Sequence, residues 1–321
     1  MIIVELTGGL GNQMFEYVLY LALKEKRSDV FLSDYIMRRT GDKAPEHSRK
    51  NLLNDVFVVS EAEYASDKDM MKLGDYSRTI FARVRRRIFR IHTGRRLNLF
   101  LAFHLREDIR KQNSPFAVIR RKLSVPKQLA DKNWVDDQMS KLVAVKNVAV
   151  QGFWQEFDYA KSVEGKVRSE LAFKNPMDDK NQMVAEQMKQ ETSVSINVRR
   201  GDYLKVAKDR MPPVSYYIQA MEYFTQKFKD VHFYVSSDDI PWCRENLKDD
   251  RITFLDWNNG VDNRYKDMQL MSLCKHNIID NSTFAIWAAW LNANPDKIVI
   301  RPKKYFYNDE YFLYPDEWLV M

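Results

Sequence analysis

Cysteine, histidine and long apolar runs are scarce in this chain of 321 residues. The two cysteines, Cys243 and Cys274, exclude a disulfide framework and indicate a reducing compartment. The five histidines show no metal-ligand spacing, so no metal site is predicted. No apolar run reaches the roughly 20 residues of a membrane span, and the first residues lack the basic region and cleavage site of a signal peptide. We therefore expect a cytoplasmic protein.

The chain contains 51 Lys and Arg against 44 Asp and Glu, and the segment Arg78–Arg96 holds eight arginines and no acid. Apolar residues recur in it at helical spacing. One interpretation is a basic amphipathic helix that lies on an anionic surface, which would make the protein peripheral at the inner membrane. The other is a solvated helix that packs its apolar side on the protein. Nucleic acid is not expected as a partner, because no nucleic-acid-binding motif accompanies the charge.

Strand-like and helix-like patterns alternate along most of the chain. The first four are a strand at 1–6, a glycine-rich turn at 7–12, a helix at 13–26 and a strand at 29–33. Such alternation predicts an α/β fold, with helices on both faces of parallel sheets.

A polar stretch at 174–179 is the predicted boundary between two Rossmann-like domains. The chain is long enough for two domains of roughly 150 residues each. The predicted parts are an amino-terminal domain at 1–175 with a helical insertion at about 60–141, a second domain at 176–302, and a carboxyl-terminal tail at 303–321.

The most informative stretch is Ser193–Tyr203, in which a short β-pattern runs into two adjacent arginines. Arg199 and Arg200 are expected at the carboxyl end of a strand, where open α/β sheets bind their ligands. Guanidinium groups bind phosphate oxygens through paired hydrogen bonds and keep their charge near neutral pH. We predict a diphosphate site here; the alternative is a surface arginine pair neutralised by Asp202.

Two further polar groups follow predicted strands. Asp238 and Asp239 can contact a nucleotide base or ribose, although an aspartate at this point also caps the next helix. Asn281, Ser282 and Thr283 precede an apolar helix, whose amide groups and neighbouring hydroxyls favour an anion. Capping by Ser282 or Thr283 is the alternative there.

The glycine loop Gly8–Gln13 allows close backbone approach to a ligand and leads into a helix. Asn12 and Gln13 add amide groups suited to sugar hydroxyls or phosphate. The spacing is also similar to a dinucleotide fingerprint, with Asp34 at a suitable distance but Met14 in place of the third glycine. An NAD-dependent oxidoreductase and a non-catalytic nucleotide or sugar binder therefore stay open as alternatives.

Four stretches together resemble the bacterial α-1,2-fucosyltransferase family, glycosyltransferase family 11. They are Gly8–Tyr17, Val198–Tyr203, Ser236–Asp239 and Asp267–Leu291. Their order and spacing match from residue 2 to about 302. The resemblance implies a GT-B fold with two domains facing across a cleft, the acceptor side at 1–175 and the nucleotide-sugar (donor) side at 176–302. It also implies metal-independent, inverting transfer from GDP-fucose. The implied acceptor is a hydroxyl, O-2 of a galactoside, on a surface glycan such as O-antigen or capsule. Transfer of another nucleotide-activated sugar is the alternative.

In the family's central motif, Arg199 occupies the position that contacts the donor's diphosphate. Asn197 stands where this motif usually has histidine, so no titrating proton is present there. The base is open between Asp202, Asp209 and Glu16. The predicted catalytic residues are Arg199, Asp202 and Asn12. The predicted ligand-binding residues are Arg199, Arg200, Asn197, Asp238, Asp239, Asn281, Ser282, Thr283, Gly9, Gly11 and Gln13. The expected partners are the nucleotide-sugar donor and a glycan acceptor, and no cofactor is expected.

Overall fold

The fold is seen in a computed structural model of the chain. It describes residues 1–35, 37–38, 50–73, 100–101, 139–140, 142–144, 148–150, 152–155, 157–206, 208, 211–260, 262–303 and 314–321. The chain divides into two compact units, Met1–Ala172 and Phe173–Met321. The basic segment Arg78–Arg96 and most of the predicted helical insertion lie outside the described residues, so the two interpretations of the basic segment stay predictions. Within the described ranges, no helix combines the length and the apolar character needed to span a bilayer.

The first unit is built on a parallel sheet with strand order β2-β1-β4-β3. Its described elements are β1 (Ile2–Glu5), α1 (Leu10–Lys24), β2 (Val30–Ser33), α2 (Leu53–Val56), α3 (Asp67–Leu73), β3 (Phe100–Leu101), β4 (Val148–Val150), α4 (Phe157–Ser162) and α5 (Glu164–Glu170). Helix α1 is buried almost all round, with 13 of its 15 residues inside the unit. A helix of this kind is held by packing rather than by its own propensity.

Helix α1 begins at Leu10, three residues before the predicted start at Gln13. The turn is tighter than expected, because Gly8 adopts a left-handed conformation with φ of 70° and Gly9 is the extended N-cap. Gly11 and Asn12 therefore lie in the first helical turn rather than in a loop.

The second unit is built on a six-stranded sheet of order β10-β9-β8-β5-β6-β7, in which all pairings are parallel. Its described elements are α6 (Asp179–Gln190), β5 (Thr192–Val198), α7 (Tyr203–Val206), α8 (Val214–Lys227), β6 (Val231–Ser237), α9 (Ile240–Asn246), β7 (Ile252–Phe254), α10 (Tyr265–Leu273), β8 (His276–Ile278), α11 (Thr283–Leu291), β9 (Val299–Arg301) and β10 (Leu319–Val320).

The central strand β5 is buried on both faces, as expected of parallel sheets. Val194, Ile196 and Val198 pack with Tyr217 and Phe224 of α8. The opposite face carries polar side chains that are satisfied internally. On that face, Asn277 donates to the Ser195 hydroxyl and the Met271 carbonyl.

Strand order reverses beside β5. The chain adds β6 and β7 on one side of it, then crosses to add β8, β9 and β10 on the other. The gap between the ends of β5 and β8 is therefore a topological switch point, where open α/β sheets form their ligand crevice. Residues that follow β5, β6 and β8 meet at this edge.

Candidate functional site

Arg199 is the first residue after β5, and three carboxylates fix it. Its backbone N–H donates to Asp280 Oδ2 at 2.5 Å. Its guanidinium contacts Asp202 Oδ1 through Nη2 and Asp238 Oδ2 through Nη1, both at 2.5 Å. Burial opposes the charge of Arg199, but Asp238 and Asp202 outweigh it and raise the guanidinium pKa. The side chain keeps 31% of its surface exposed, so it stays accessible to a ligand.

Arg200 is held more deeply, with 16% of its side chain exposed. Its backbone N–H donates to Asp238 Oδ1 at 2.8 Å, and its Nε donates to Asp239 Oδ2 at 2.9 Å. The guanidinium lies 3.9 Å from the ring centroid of Trp242, a cation–π contact. These contacts fix the direction of Arg200 before any ligand arrives.

Gly201 lets the loop at 199–202, called the arginine loop below, approach Asp238 closely. A Cβ atom at residue 201 would lie 2.4 Å from Asp238 Oδ2, inside van der Waals contact. That oxygen cannot easily move away, because it is paired with Arg199. A glycine is therefore required here by space rather than by backbone conformation.

Asp280 is the buried centre of the site, and sequence reasoning missed it. Its carboxylate accepts from the Asn197 amide at 3.0 Å, from the Arg199 backbone and from the Ser282 N–H at 2.9 Å. Burial raises the pKa of Asp280 to about 7, although these hydrogen bonds oppose the shift. The available signal was its position two residues after β8, immediately before Asn281.

Asp238 and Asp239 both hold the arginine loop, a role that the sequence interpretation did not assign to them. Asp239 also caps helix α9, since its Oδ1 accepts from the Trp242 N–H at 3.2 Å. The alternative of helix capping therefore applies to Asp239, while Asp238 pairs with Arg199 and Arg200. Within the described part of the chain, no group of three or more His, Cys, Asp or Glu side chains is placed to hold a metal ion.

The Asn281–Thr283 stretch begins helix α11 at the same edge. Ser282 is the N-cap, and its hydroxyl accepts from the Phe284 N–H at 3.3 Å. Asn281 and Ser282 are buried, and Thr283 is the first helical residue. The predicted capping role is present, and Asp280 anchors the cap to the arginine loop.

The predicted glycine-loop residues belong to the first unit. A Cβ at Gly8 would lie 2.5 Å from the Asn12 amide nitrogen, so the turn is tightly packed. The buried Gln13 amide donates both hydrogens inside the protein, to the carbonyls of Gly8 and Lys50, and accepts from the Leu52 N–H. These internal hydrogen bonds give Gln13 a structural role, and its predicted ligand contact stays a prediction.

Asn12 accepts from the Gln155 amide at 3.0 Å. Glu16, one of the three candidate bases, is fully buried and accepts from the Thr7 N–H at 2.7 Å and the Thr7 hydroxyl at 2.5 Å. Burial raises its pKa well above the ordinary value, and the neighbouring Glu5 adds to this. Asp209 lies outside the described residues, while Asp202 is 44% exposed beside Arg199.

An open parallel sheet with a ligand crevice at its switch point is typical of nucleotide-binding α/β proteins. The fold is similar to that of the α-1,6-fucosyltransferase NodZ, solved with GDP. The TM-score is 0.50 at 12% sequence identity, over 90% of this chain and 91% of that one. The protein is thus an α/β protein of the GT-B type.

The family model "Glycosyl transferase family 11" matches residues 97–320. The chain belongs to this family and is a glycosyltransferase, which sets aside the oxidoreductase alternative. It is 30% identical over 221 residues to an α-1,2-colitosyltransferase of Escherichia coli, covering 64% of this chain and 74% of that protein. It is 27% identical over 329 residues to the E. coli O-antigen biosynthesis glycosyltransferase WbnK, covering 98% of both.

Proposed function

We propose that this enzyme transfers L-fucose from GDP-fucose to a hydroxyl of a surface glycan, O-2 of a galactoside, with inversion and without a metal ion. The observation that carries the proposal is the pre-positioned Arg199 at the switch point. The α-1,2-colitosyltransferase supports the linkage, WbnK supports an O-antigen acceptor, and the GDP complex of NodZ supports a guanine nucleotide.

In the proposed reaction, the bond between the anomeric carbon and the diphosphate oxygen breaks while the acceptor oxygen bonds to that carbon. Negative charge grows on the leaving diphosphate. Fixed cations aimed at this charge lower the barrier, because they need little reorganisation during the reaction. Arg199 has this role, and the N-terminal end of α11 adds the positive end of its dipole.

A diphosphate that reaches Arg199 must compete with the carboxylates already there. Asp202 is the exchangeable partner, since it is 44% exposed while Asp238 is 13% exposed. Once the diphosphate occupies Arg199, the released Asp202 carboxylate accepts the proton of the acceptor hydroxyl. Asp202 is favoured over Glu16 for this task because Glu16 is buried against Thr7.

Asn197 has a positioning role in this scheme. Its amide donates to Asp280, and Asp280 in turn receives the Arg199 backbone N–H. Since asparagine has no titrating proton, Asn197 acts by holding the arginine loop rather than by proton transfer.

The test is transfer from GDP-fucose to galactosides, with linkage analysis of the product. Arg199→Ala should lower the rate by on the order of 10²–10³-fold with an unchanged circular dichroism spectrum. Arg244→Ala, which removes an exposed arginine paired with Asp256, is the matched control and should retain activity. Near-normal transfer by the Arg199 variant would refute the diphosphate role. Excess EDTA should leave the rate unchanged, and a strong loss would contradict metal-free transfer.

A second candidate is transfer of a different nucleotide-activated sugar. It is favoured by the 30% identity to a protein named for colitose transfer. Thermal-shift measurements with GDP-, UDP-, CDP- and dTDP-sugars distinguish the candidates, because a ligand that binds only the folded state raises the unfolding temperature. Stabilisation by GDP-fucose above the other nucleotide sugars is the expected result, and preference for another one would replace fucose.

A further inference from the structure

A third arginine lies at the same edge of the sheet. Arg301 is the last residue of β9, the neighbour of β8. The pairing of Ile278 with Ile300 puts Arg301 level with Ile279, one residue before Asp280. Two strand spacings across the sheet and two residues along the strand separate Arg301 from Arg199, so their backbones are about 12 Å apart, within the joint reach of two arginine side chains.

Arg301 differs from the arginine pair in its partners. Among the described residues, no carboxylate forms an ion pair with it. Its Nε is buried without a hydrogen-bond partner, and Nη1 makes one long hydrogen bond, at 3.4 Å, to the Pro302 carbonyl. The guanidinium lies 4.7 Å from the ring centroid of Tyr314, and burial lowers its pKa.

The surroundings of Arg301 are firmly held. The Tyr216 hydroxyl donates to the carbonyls of Ile279 at 2.6 Å and Ile300 at 3.1 Å, which joins the ends of β8 and β9. Tyr314 belongs to the carboxyl-terminal segment, which sequence analysis had treated as a tail. This segment adds β10 to the sheet beside β9.

A partly desolvated cation that no carboxylate pairs with directly is costly, and buried polar atoms without partners are rare in folded proteins. The charge balance of the arginine loop shows why a further cation matters at this edge. Its two guanidiniums face three carboxylates, those of Asp202, Asp238 and Asp239, so the loop by itself carries no surplus positive charge. Positive charge from another residue at this edge would therefore strengthen anion binding beyond what the paired arginines and the N-terminal end of α11 provide.

We propose that Arg301 is the third cation of the donor site and binds a phosphate of the nucleoside diphosphate. The assignment rests on the proposed function, since it takes the donor to be a nucleoside diphosphate sugar. Arg301, which pairs with no carboxylate in the described part of the chain, supplies positive charge, while Arg199 and Arg200 supply fixed directions.

Isothermal titration with GDP, inorganic pyrophosphate and guanosine tests the assignment on the full chain. Arg301→Gln should weaken GDP about 10- to 100-fold, the range of a lost charged hydrogen bond. Pyrophosphate binding should fall with it, and guanosine binding should stay unchanged. The control is Arg251→Gln, which removes an exposed arginine paired with Asp249 at the opposite end of β7 and should bind GDP like the wild type.

The unfolding temperature of the free protein separates ligand binding from a structural role. Because the substitution Arg301→Gln breaks no ion pair with a described residue, the variant should unfold at or above the wild-type temperature. If that variant fails to fold, Arg301→Lys keeps the charge without the planar fork and should still weaken GDP.

Unchanged GDP affinity in a folded Arg301 variant would overturn the inference, and so would a parallel loss of guanosine binding. If wild-type protein binds GDP and Arg199→Ala weakens it while Arg301→Gln does not, only this inference fails. If wild-type protein binds no nucleoside diphosphate, the proposed function fails and the inference fails with it.

Discussion

Asp280→Asn tests the buried centre of the arginine loop. Asp280 receives three N–H donors on two oxygens: the Asn197 amide and the Arg199 backbone on Oδ2, and the Ser282 backbone on Oδ1. An asparagine keeps one oxygen, which can serve the first two donors. Its amide group then faces the Ser282 N–H, donor against donor. A buried N–H left without an acceptor costs about 1–3 kcal/mol.

The same substitution removes a titrating group, which gives a clearer signature. In the folded protein burial raises the pKa of Asp280 to about 7, whereas the pKa of an aspartate in the unfolded chain is about 3.9. The folded state therefore binds the proton more tightly, and its advantage is lost as pH rises from about 4 through 7. Between pH 5 and 8 this group lowers the free energy of unfolding by about 2–3 kcal/mol.

Urea unfolding of wild type and Asp280→Asn at pH 5 and pH 8 measures this difference. The wild type should lose about 2–3 kcal/mol more than the variant between the two pH values. Asp256→Asn, at an exposed aspartate paired with Arg244, is the control and should keep the wild-type pH dependence. Parallel changes in wild type and Asp280→Asn would show that the carboxylate does not titrate in this range and would refute the reasoning.

Two further substitutions test the geometry of the loop. Gly201→Ala places a methyl group against Asp238, so the free energy of unfolding should fall by about 1–3 kcal/mol and GDP binding should weaken. The control is Gly165→Ala, whose added Cβ would meet no atom from elsewhere in the fold within 4 Å, and equal stability of the two variants would contradict the close approach. Asp202→Asn should slow transfer by about 10²–10⁴-fold, the usual contribution of a general base, without weakening GDP in titration calorimetry. Weaker GDP binding in that variant would mean that Asp202 supports the nucleotide and does not compete with it.

The parts of the site that are local in sequence were predictable. A β-pattern that runs into Arg199 and Arg200 indicates a strand end, and the structure has β5 ending at Val198. The helices at 240–246 and 283–291 begin directly after Asp239 and Ser282, where the sequence offered helix caps, because both residues are ordinary N-caps. Each of these signals is contained within about ten residues.

The missed parts depend on contacts between distant segments. Asp280 looks like one more polar residue ahead of a helix cap, and its donors Asn197 and Arg199 are more than 80 residues away in sequence. Arg301 has no local motif either. Its proposed role follows from the position of β9 beside β8 and from the Arg301 Nε, which is buried without a hydrogen-bond partner. The hydrogen bonds of Gln13 likewise come from a later segment, at Lys50 and Leu52, and no local pattern indicates them.

The acidic residues that contact the arginine loop fix the positions of its arginines, and we expect the binding free energy of the diphosphate to come from other groups. Asp238, Asp239 and Asp280 fix the arginines before a ligand arrives, so little reorganisation is left for the reaction itself. Exchange of Asp202 for a diphosphate replaces one charged hydrogen bond by another, so this exchange adds little net affinity. We therefore expect affinity to come from cations that pair with no carboxylate among the described residues, above all Arg301. Removal of Asp202 should therefore impair transfer more than binding, and removal of Arg301 should impair nucleotide binding directly.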